Sequence, residues 1–195
     1  SGPRCATRSP GCVCSPTRVS WITGRYPGRI EAGNGEVLSS QDLESRGVSQ
    51  EQSILPQELK KAGYDTALFG KWHLGYPAEY SPVISGFDEF WGHLDGAADH
   101  LSHAATGPTP TSFGLYAGNP SVNAPGHVKP IEADGYLADL TANKAVEYLK
   151  RRTRDDTPFY MGVHFNAPHW PWEDRDDEAE SERLMNPATW GGGRA

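Results

Sequence analysis

Long apolar runs are missing from this chain of 195 residues: no stretch of eighteen apolar residues exists, so none of its helices can span a bilayer. An excess of basic charge is missing too. The chain carries 18 Lys and Arg against 25 Asp and Glu, a net of -7, which excludes a general nucleic-acid binder with its basic stripe. It leaves a small anionic substrate open, because a local group of Arg, Lys and His can invert the field inside one cleft. There is no leader of basic then apolar residues, no internal repeat and no low-complexity tract. No Asn-x-Ser/Thr acceptor exists either, since Asn119 is followed by Pro120. Cysteine is scarce, and Cys5, Cys12 and Cys14 all crowd the first fourteen residues. Cys-x-Cys without a nearby His is a poor zinc knuckle. One disulfide with a spare thiol remains open, as does a modified Cys14 with two bystanders.

Gly (22) and Pro (16) are plentiful, so loops take up much of a chain long enough for one buried core. The pattern predicts a helix over Pro16 to Gly24 and an irregular stretch from Arg25 to Gln50. A second helix is expected over Ser53 to Ala62, with Ile54, Leu55, Leu59 and Ala62 at helical spacing and Gly63 as its stop. Thr66 to Phe69 reads as a strand. Residues Pro77 to Pro130 read as loop-rich. A third helix is expected from about Tyr136 to Arg152, with Leu137, Leu140, Val146 and Leu149 on one face. Pro158 to Phe165 reads as a buried strand, and the acidic stretch Glu173 to Glu182, which includes Asp176 and Asp177, as a solvated surface. This alternation is an α/β pattern, and each strand empties into a polar cluster, where open α/β sheets bind ligands.

Three clusters stand out. Cys14-Ser15-Pro16-Thr17-Arg18, continued to Thr23-Gly24-Arg25, sets a cysteine just before a helix that starts on proline. Helix N-termini attract anions through unsatisfied N–H groups and the dipole, and Arg18 adds a fixed positive fork. Gly70-Lys71-Trp72-His73-Leu74-Gly75 follows the first strand, and Asn166-Ala167-Pro168-His169-Trp170-Pro171 follows the last. Taken alone, Lys71 and His73 read as a surface lysine beside a half-buried histidine, and His169 as a loop histidine between Trp170 and Trp172. Taken together, the three clusters offer a nucleophile precursor, two cations and two proton carriers, the groups that cleave an anionic ester.

These clusters resemble the three motifs of the type I sulfatases: Cys-x-Pro-x-Arg with its Thr-Gly-Arg, the Lys-x-His loop, and Ala-Pro-His at a strand end. Gly86-Phe87-Asp88-Glu89-Phe90-Trp91-Gly92 is similar to a further recurring segment, read as an aromatic wedge beneath the site. The resemblance spans most of residues 12–172. It implies an alkaline phosphatase-like (sulfatase) α/β fold with a mostly parallel central sheet flanked by helices, incomplete in this chain. Residues 1–195 would form part of a single sulfatase catalytic domain truncated at both ends.

The resemblance also implies a sulfuric ester hydrolase. Cys14 becomes formylglycine, whose hydrate attacks the sulfur of a sulfate monoester and releases alcohol and sulfate. Catalytic roles fall on Cys14, Arg18, Lys71, His73 and His169, and Lys71 and His169 bind the sulfate. The implied cofactor is calcium, with Cys14 as formylglycine the only ligand here and the others outside this chain. The implied partners are a sulfated sugar or aryl sulfate and the formylglycine-generating enzyme, with no nucleic acid. Gly86 to His103 resembles the arylsulfatase B and galactosamine-sulfatase side of the family, which favours a carbohydrate. The location expected is periplasmic or secreted, lysosomal in a eukaryote, and the isolated piece is expected to be inactive. His100 and His103 read as loop histidines or as lining for a substrate entrance, Thr17 as an aid to the helix start. The other readings are a phosphonate monoesterase or phosphodiesterase of the same superfamily, and a non-catalytic sulfated-glycan-binding relative or inactive fragment.

Overall fold

The computed structural model describes residues 13–34, 37–38, 42, 45–104, 114–119, 128–153 and 156–186. Five strands form one sheet in the order β4-β3-β2-β1-β5: β1 (Asp65–Gly70), β2 (Glu89–Gly92), β3 (Leu115–Gly118), β4 (Lys129–Ile131) and β5 (Phe159–His164). β1 runs parallel to both β2 and β5, while β3 is antiparallel to β2 and to β4. The centre is thus parallel and one wing antiparallel. Among the described residues four α-helices accompany it: α1 (Cys14–Thr23), α2 (Leu55–Lys61), α3 (Leu137–Arg152) and α4 (Glu178–Met185).

Strand side chains alternate between faces, so β1 feeds two cores. Leu68 joins Val19 and Ile22 of α1, Ile54, Trp72, Phe87 and Phe90 on one face. Ala67 and Phe69 join Trp91, Leu115, and Leu137, Ala145 and Tyr148 of α3 on the other. With both faces covered, a parallel pairing is stable. The pattern confirms the α/β reading.

Several expectations are corrected. α1 starts at Cys14 rather than Pro16: Val13 is the extended N-cap, and Thr17 N donates to Val13 O at 3.0 Å. Pro16 is tolerated because its missing N–H lies in the first turn, where no intrahelical partner exists. Gly24 does close the helix, at φ 65 with its N–H on Ser20 O. α2 is shorter than expected, and Leu55 is exposed while Ile54, its N-cap, is buried. The 77–130 stretch contains β2, β3 and β4, and the supposed aromatic wedge is partly β2 itself. On α3 the buried stripe is Leu137, Thr141, Ala145 and Tyr148, and Val146 is 46 % exposed. Val146 lies about two and a half turns beyond Leu137, on the opposite side of the helix. β5 is only half-buried, because it lies at the edge of the described sheet. Glu173 and Ser181, expected in solvent, are buried.

Candidate active site

The Lys71 loop is stitched to its neighbours by backbone. Gly70 has φ 101, and a Cβ there would collide with the His164 carbonyl, so glycine is required where β1 meets β5. Beyond it Lys71 N donates to His164 O at 2.8 Å, Trp72 N to His93 O at 2.9 Å and His73 N to Leu94 O at 3.1 Å. Trp72 drops into the core, its ring edge-on to Phe87 and its Nε1 donating to Tyr80 O at 2.9 Å. That anchor fixes the two functional residues on either side of it.

Lys71 is 3 % exposed, and its Nζ donates to Cys14 Sγ at 3.4 Å across 57 residues of sequence. It also donates to the Gly96 carbonyl. Burial lowers the Lys71 pKa, and the Arg18 charge adds to this, while Cys14 opposes it. Cys14, half-buried, sits at the first helical position of α1, where the dipole is positive. Ser15 beside it is buried and accepts from Leu38 N at 3.2 Å. Thr17 is exposed on the first turn.

Arg18 acts from underneath. Its NH1 donates to Lys71 O at 2.7 Å and to His164 Nδ1 at 3.0 Å. His164 Nδ1 also lies 3.2 Å from Lys71 O, so Arg18, His164 and that carbonyl form one cluster. Burial and the Arg18 charge push the His164 pKa down to about 4, which keeps it neutral. Burial also lowers Arg18 to about 10, still cationic at neutral pH.

His73 holds a left-handed backbone at φ 59 and is buried. Its Nε2 donates to Leu38 O at 2.9 Å, so the lone pair is on Nδ1, which is buried without a partner. Burial, then the charges of Lys71, Arg18 and His169, push its pKa down to about 3. His169 is near enough for its charge to act on His73. His169 is exposed, and its Nδ1 donates to Trp170 O at 2.8 Å, leaving Nε2 as its second nitrogen. The five expected catalytic residues thus gather at the C-terminal ends of β1 and β5 and the start of α1.

Sequence reasoning missed three contributors. His164 buttresses Arg18, and its signal was a histidine paired in register with Gly70 at a strand end. Gly96 supplies a carbonyl to Lys71, and a Cβ on it would meet the His73 ring at 2.8 Å. His93 is buried, and burial with the Lys71 and Arg18 charges holds it well below the usual histidine range. Nothing in the sequence marked the last two. His100 and His103 do not line an entrance: both are buried, with His100 stacked on Tyr136 and His103 Nε2 donating to Gly135 O at 2.7 Å.

Among the described residues no group of three or more His, Cys, Asp or Glu could hold a metal ion. Asp176 is exposed, and Asp177 accepts from Asp174 N at 2.7 Å. Cys5 and Cys12 lie outside the described residues. The residues around Cys14 do suit a hydroxylated aldehyde. Lys71 is a donor, and the orphaned Nδ1 of His73 lies within reach of the Lys71, Arg18 and His169 charges.

A buried lysine and arginine beside a cysteine at a helix start, with two histidines on adjoining loops, form an arrangement suited to holding a tetrahedral anion. The family model described as Sulfatase matches residues 6–191, and the chain belongs to that family. It is similar to human N-acetylgalactosamine-6-sulfatase, 30 % identical over 169 residues, covering 82 % of this chain and 31 % of that protein. Mouse arylsulfatase J is 35 % identical over 162 residues, with 82 % and 25 % covered. The chain thus spans about a third of the length of the curated relatives it matches. The crystal structure of Ps i-CgsB in complex with k-i-k-neocarrahexaose shares the fold at TM-score 0.71 and 23 % identity, covering 92 % of this chain and 40 % of that one. That of the PsFucS1 sulfatase from Pseudoalteromonas sp. does so at TM-score 0.62 and 20 % identity, with 82 % and 35 % covered. These likenesses bear out the sulfatase fold. Family membership implies formylglycine and a divalent metal.

Proposed function

We propose that the protein carrying this chain hydrolyses sulfate monoesters of carbohydrates, taking up water and releasing an alcohol and sulfate. The observation that carries the reading is the Lys71 Nζ to Cys14 Sγ contact, which joins two motifs distant in sequence. Relatives named for galactosamine sulfate, and a structural neighbour bound to a neocarrahexaose, support a sugar substrate. Formylglycine made from Cys14 by its generating enzyme supplies the nucleophile. Calcium is the divalent cation we propose, with residue 14 as its one ligand from this chain, and no step here runs through it.

Lys71 neutralises a non-bridging sulfate oxygen and orients residue 14. Arg18 holds the Lys71 carbonyl and keeps the pocket positive. His73 accepts a proton at Nδ1. A bound sulfate would offset the Lys71 and Arg18 charges and raise its basicity. His169 binds sulfate and gives a proton to the departing alcohol. Export to a periplasm, a lysosome or the medium suits such substrates.

The test is a panel assay of the full-length protein, matured at residue 14, on sulfated sugars, aryl sulfates and the matching phosphate and phosphonate esters. We expect sulfate turnover that Cys14→Ala lowers by about a thousandfold or more. Turnover of phosphonates alone would assign the protein to the phosphoesterases of the superfamily. Binding of sulfated sugars without turnover would make it a lectin-like relative.

A further inference from the structure

Two carboxyl side chains are buried together between the loop after β2 and the loop that carries His169. Asp99 is 0 % exposed and Glu173 is 7 % exposed. Asp99 Oδ1 accepts from Leu101 N at 3.0 Å, Ser102 N at 2.6 Å, Ser102 Oγ at 2.8 Å and Ser181 Oγ at 2.8 Å. Glu173 Oε2 accepts from His100 N at 3.0 Å. The remaining oxygens, Asp99 Oδ2 and Glu173 Oε1, are buried with no N–H or O–H group donating to them. The two carboxyl groups lie close enough that a proton on either one would hydrogen-bond the other. Two carboxylates in contact in a dry site cannot both ionise, and one proton between them satisfies both.

The same contacts hold the His169 loop. Asn166 Nδ2 donates to Ala98 O at 2.8 Å and lies 3.2 Å from His100 Nε2. The His100 ring bonds to the His169 backbone and stacks on Tyr136, whose hydroxyl donates to the Glu173 carbonyl at 2.8 Å. Glu173 lies only four residues beyond His169.

We propose that Asp99 and Glu173 form a proton-bridged carboxyl pair that clasps the His169 loop to the loop after β2, with Glu173 a positioning residue for His169. The proton resides on Glu173. Burial, with the negative charges of Asp99 and Asp177, pushes Glu173 up to about 7. Asp99, despite its burial, is held below the usual carboxylate value by bonds from Ser102, Ser181 and Glu173. The other titratable groups facing the pair are His100 from the loop after β2 and Tyr136 before α3; His103 and His169 lie around His100, and Asp139, Asp174 and Arg175 around Tyr136. When the proton leaves, two carboxylates face each other without a donor, the clasp opens and His169 moves. This function for the pair rests on the reading of His169 as proton donor.

The test combines isotope-edited infrared spectroscopy with pH profiles of the full-length protein. We expect a carboxylic acid C=O band that persists to about pH 7 and is absent in Glu173→Gln. In Glu173→Gln the amide donates permanently, so its kcat relative to the wild type should rise by about tenfold from about pH 6 to about pH 9, with KM steady. Asp99→Asn, which can donate to Glu173 as a carboxylate, should flatten the same alkaline limb. A Glu173 band lost by about pH 5, or identical alkaline limbs in all three proteins, would overturn the proposal. If no sulfate ester is turned over at all, the functional reading fails, while the infrared titration still decides whether the pair shares a proton.

Discussion

Lys71 sits where charge is costly, almost wholly buried between the Gly96 carbonyl and Cys14, and burial lowers its pKa. A cation held there before any substrate arrives can stabilise developing negative charge without reorganisation, so Lys71→Ala should lower kcat by roughly 100- to 1,000-fold in steady-state assays. Arg18 fills a different need, since one nitrogen spans two acceptors, Lys71 O and His164 Nδ1. A lysine ammonium is more strongly hydrated and reaches less far than the buried guanidinium, so Arg18→Lys should lose most of the activity although the charge is kept. His169 is expected to matter in proportion to how badly the leaving alcohol needs a proton. His169→Asn should lower kcat by roughly 100-fold or more on sugar sulfates and much less on aryl sulfates with acidic phenols, and a series of leaving groups measures the difference.

At the scale of elements, α3 separates what the sequence reveals from what it hides. Its boundaries were legible from hydrophobic spacing and the basic C-terminal turn, yet the buried face was not. Apolar residues occur on both sides of the helix, and the stripe that faces the sheet includes Thr141, which a hydrophobic count passes over. Leu137→Ala should cost about 2–5 kcal/mol and Val146→Ala less than about 0.5 kcal/mol in denaturant titrations. β2 was hidden because a four-residue strand following Phe87 and Asp88 lacks period-2 alternation, and only its pairing with Leu68 and Phe69 makes it a strand. The site was more legible than the fold. Cys14, Lys71, His73 and His169 each sit in short motifs where local chain geometry and chemistry coincide. His93 and Glu173 act through partners far away in sequence, and no local signal points to them.

Across the whole molecule, burial sets how stability responds to pH. His73 and His164 have folded values depressed to about 3 and about 4, so the stability they contribute is present above about pH 6.5 and lost as pH falls through those values. Glu173 runs the other way: its folded value is raised, so its contribution is present below about pH 4.5 and lost as pH rises through about 7. Glu173→Gln should therefore gain stability relative to the wild type as pH rises from about 5 to about 8, which urea unfolding at several pH values would register. The meeting of the α1 and β1 motifs at residue 14 gains its meaning from what that residue becomes. The measurement to make is the mass of the tryptic peptide Ser9 to Arg18, taken from the protein made in its native host. We expect the Cys14 sulfur to be gone and an aldehyde oxygen in its place. An intact Cys14 thiol, in a host that matures other sulfatases, would remove the nucleophile and with it the hydrolase proposed here.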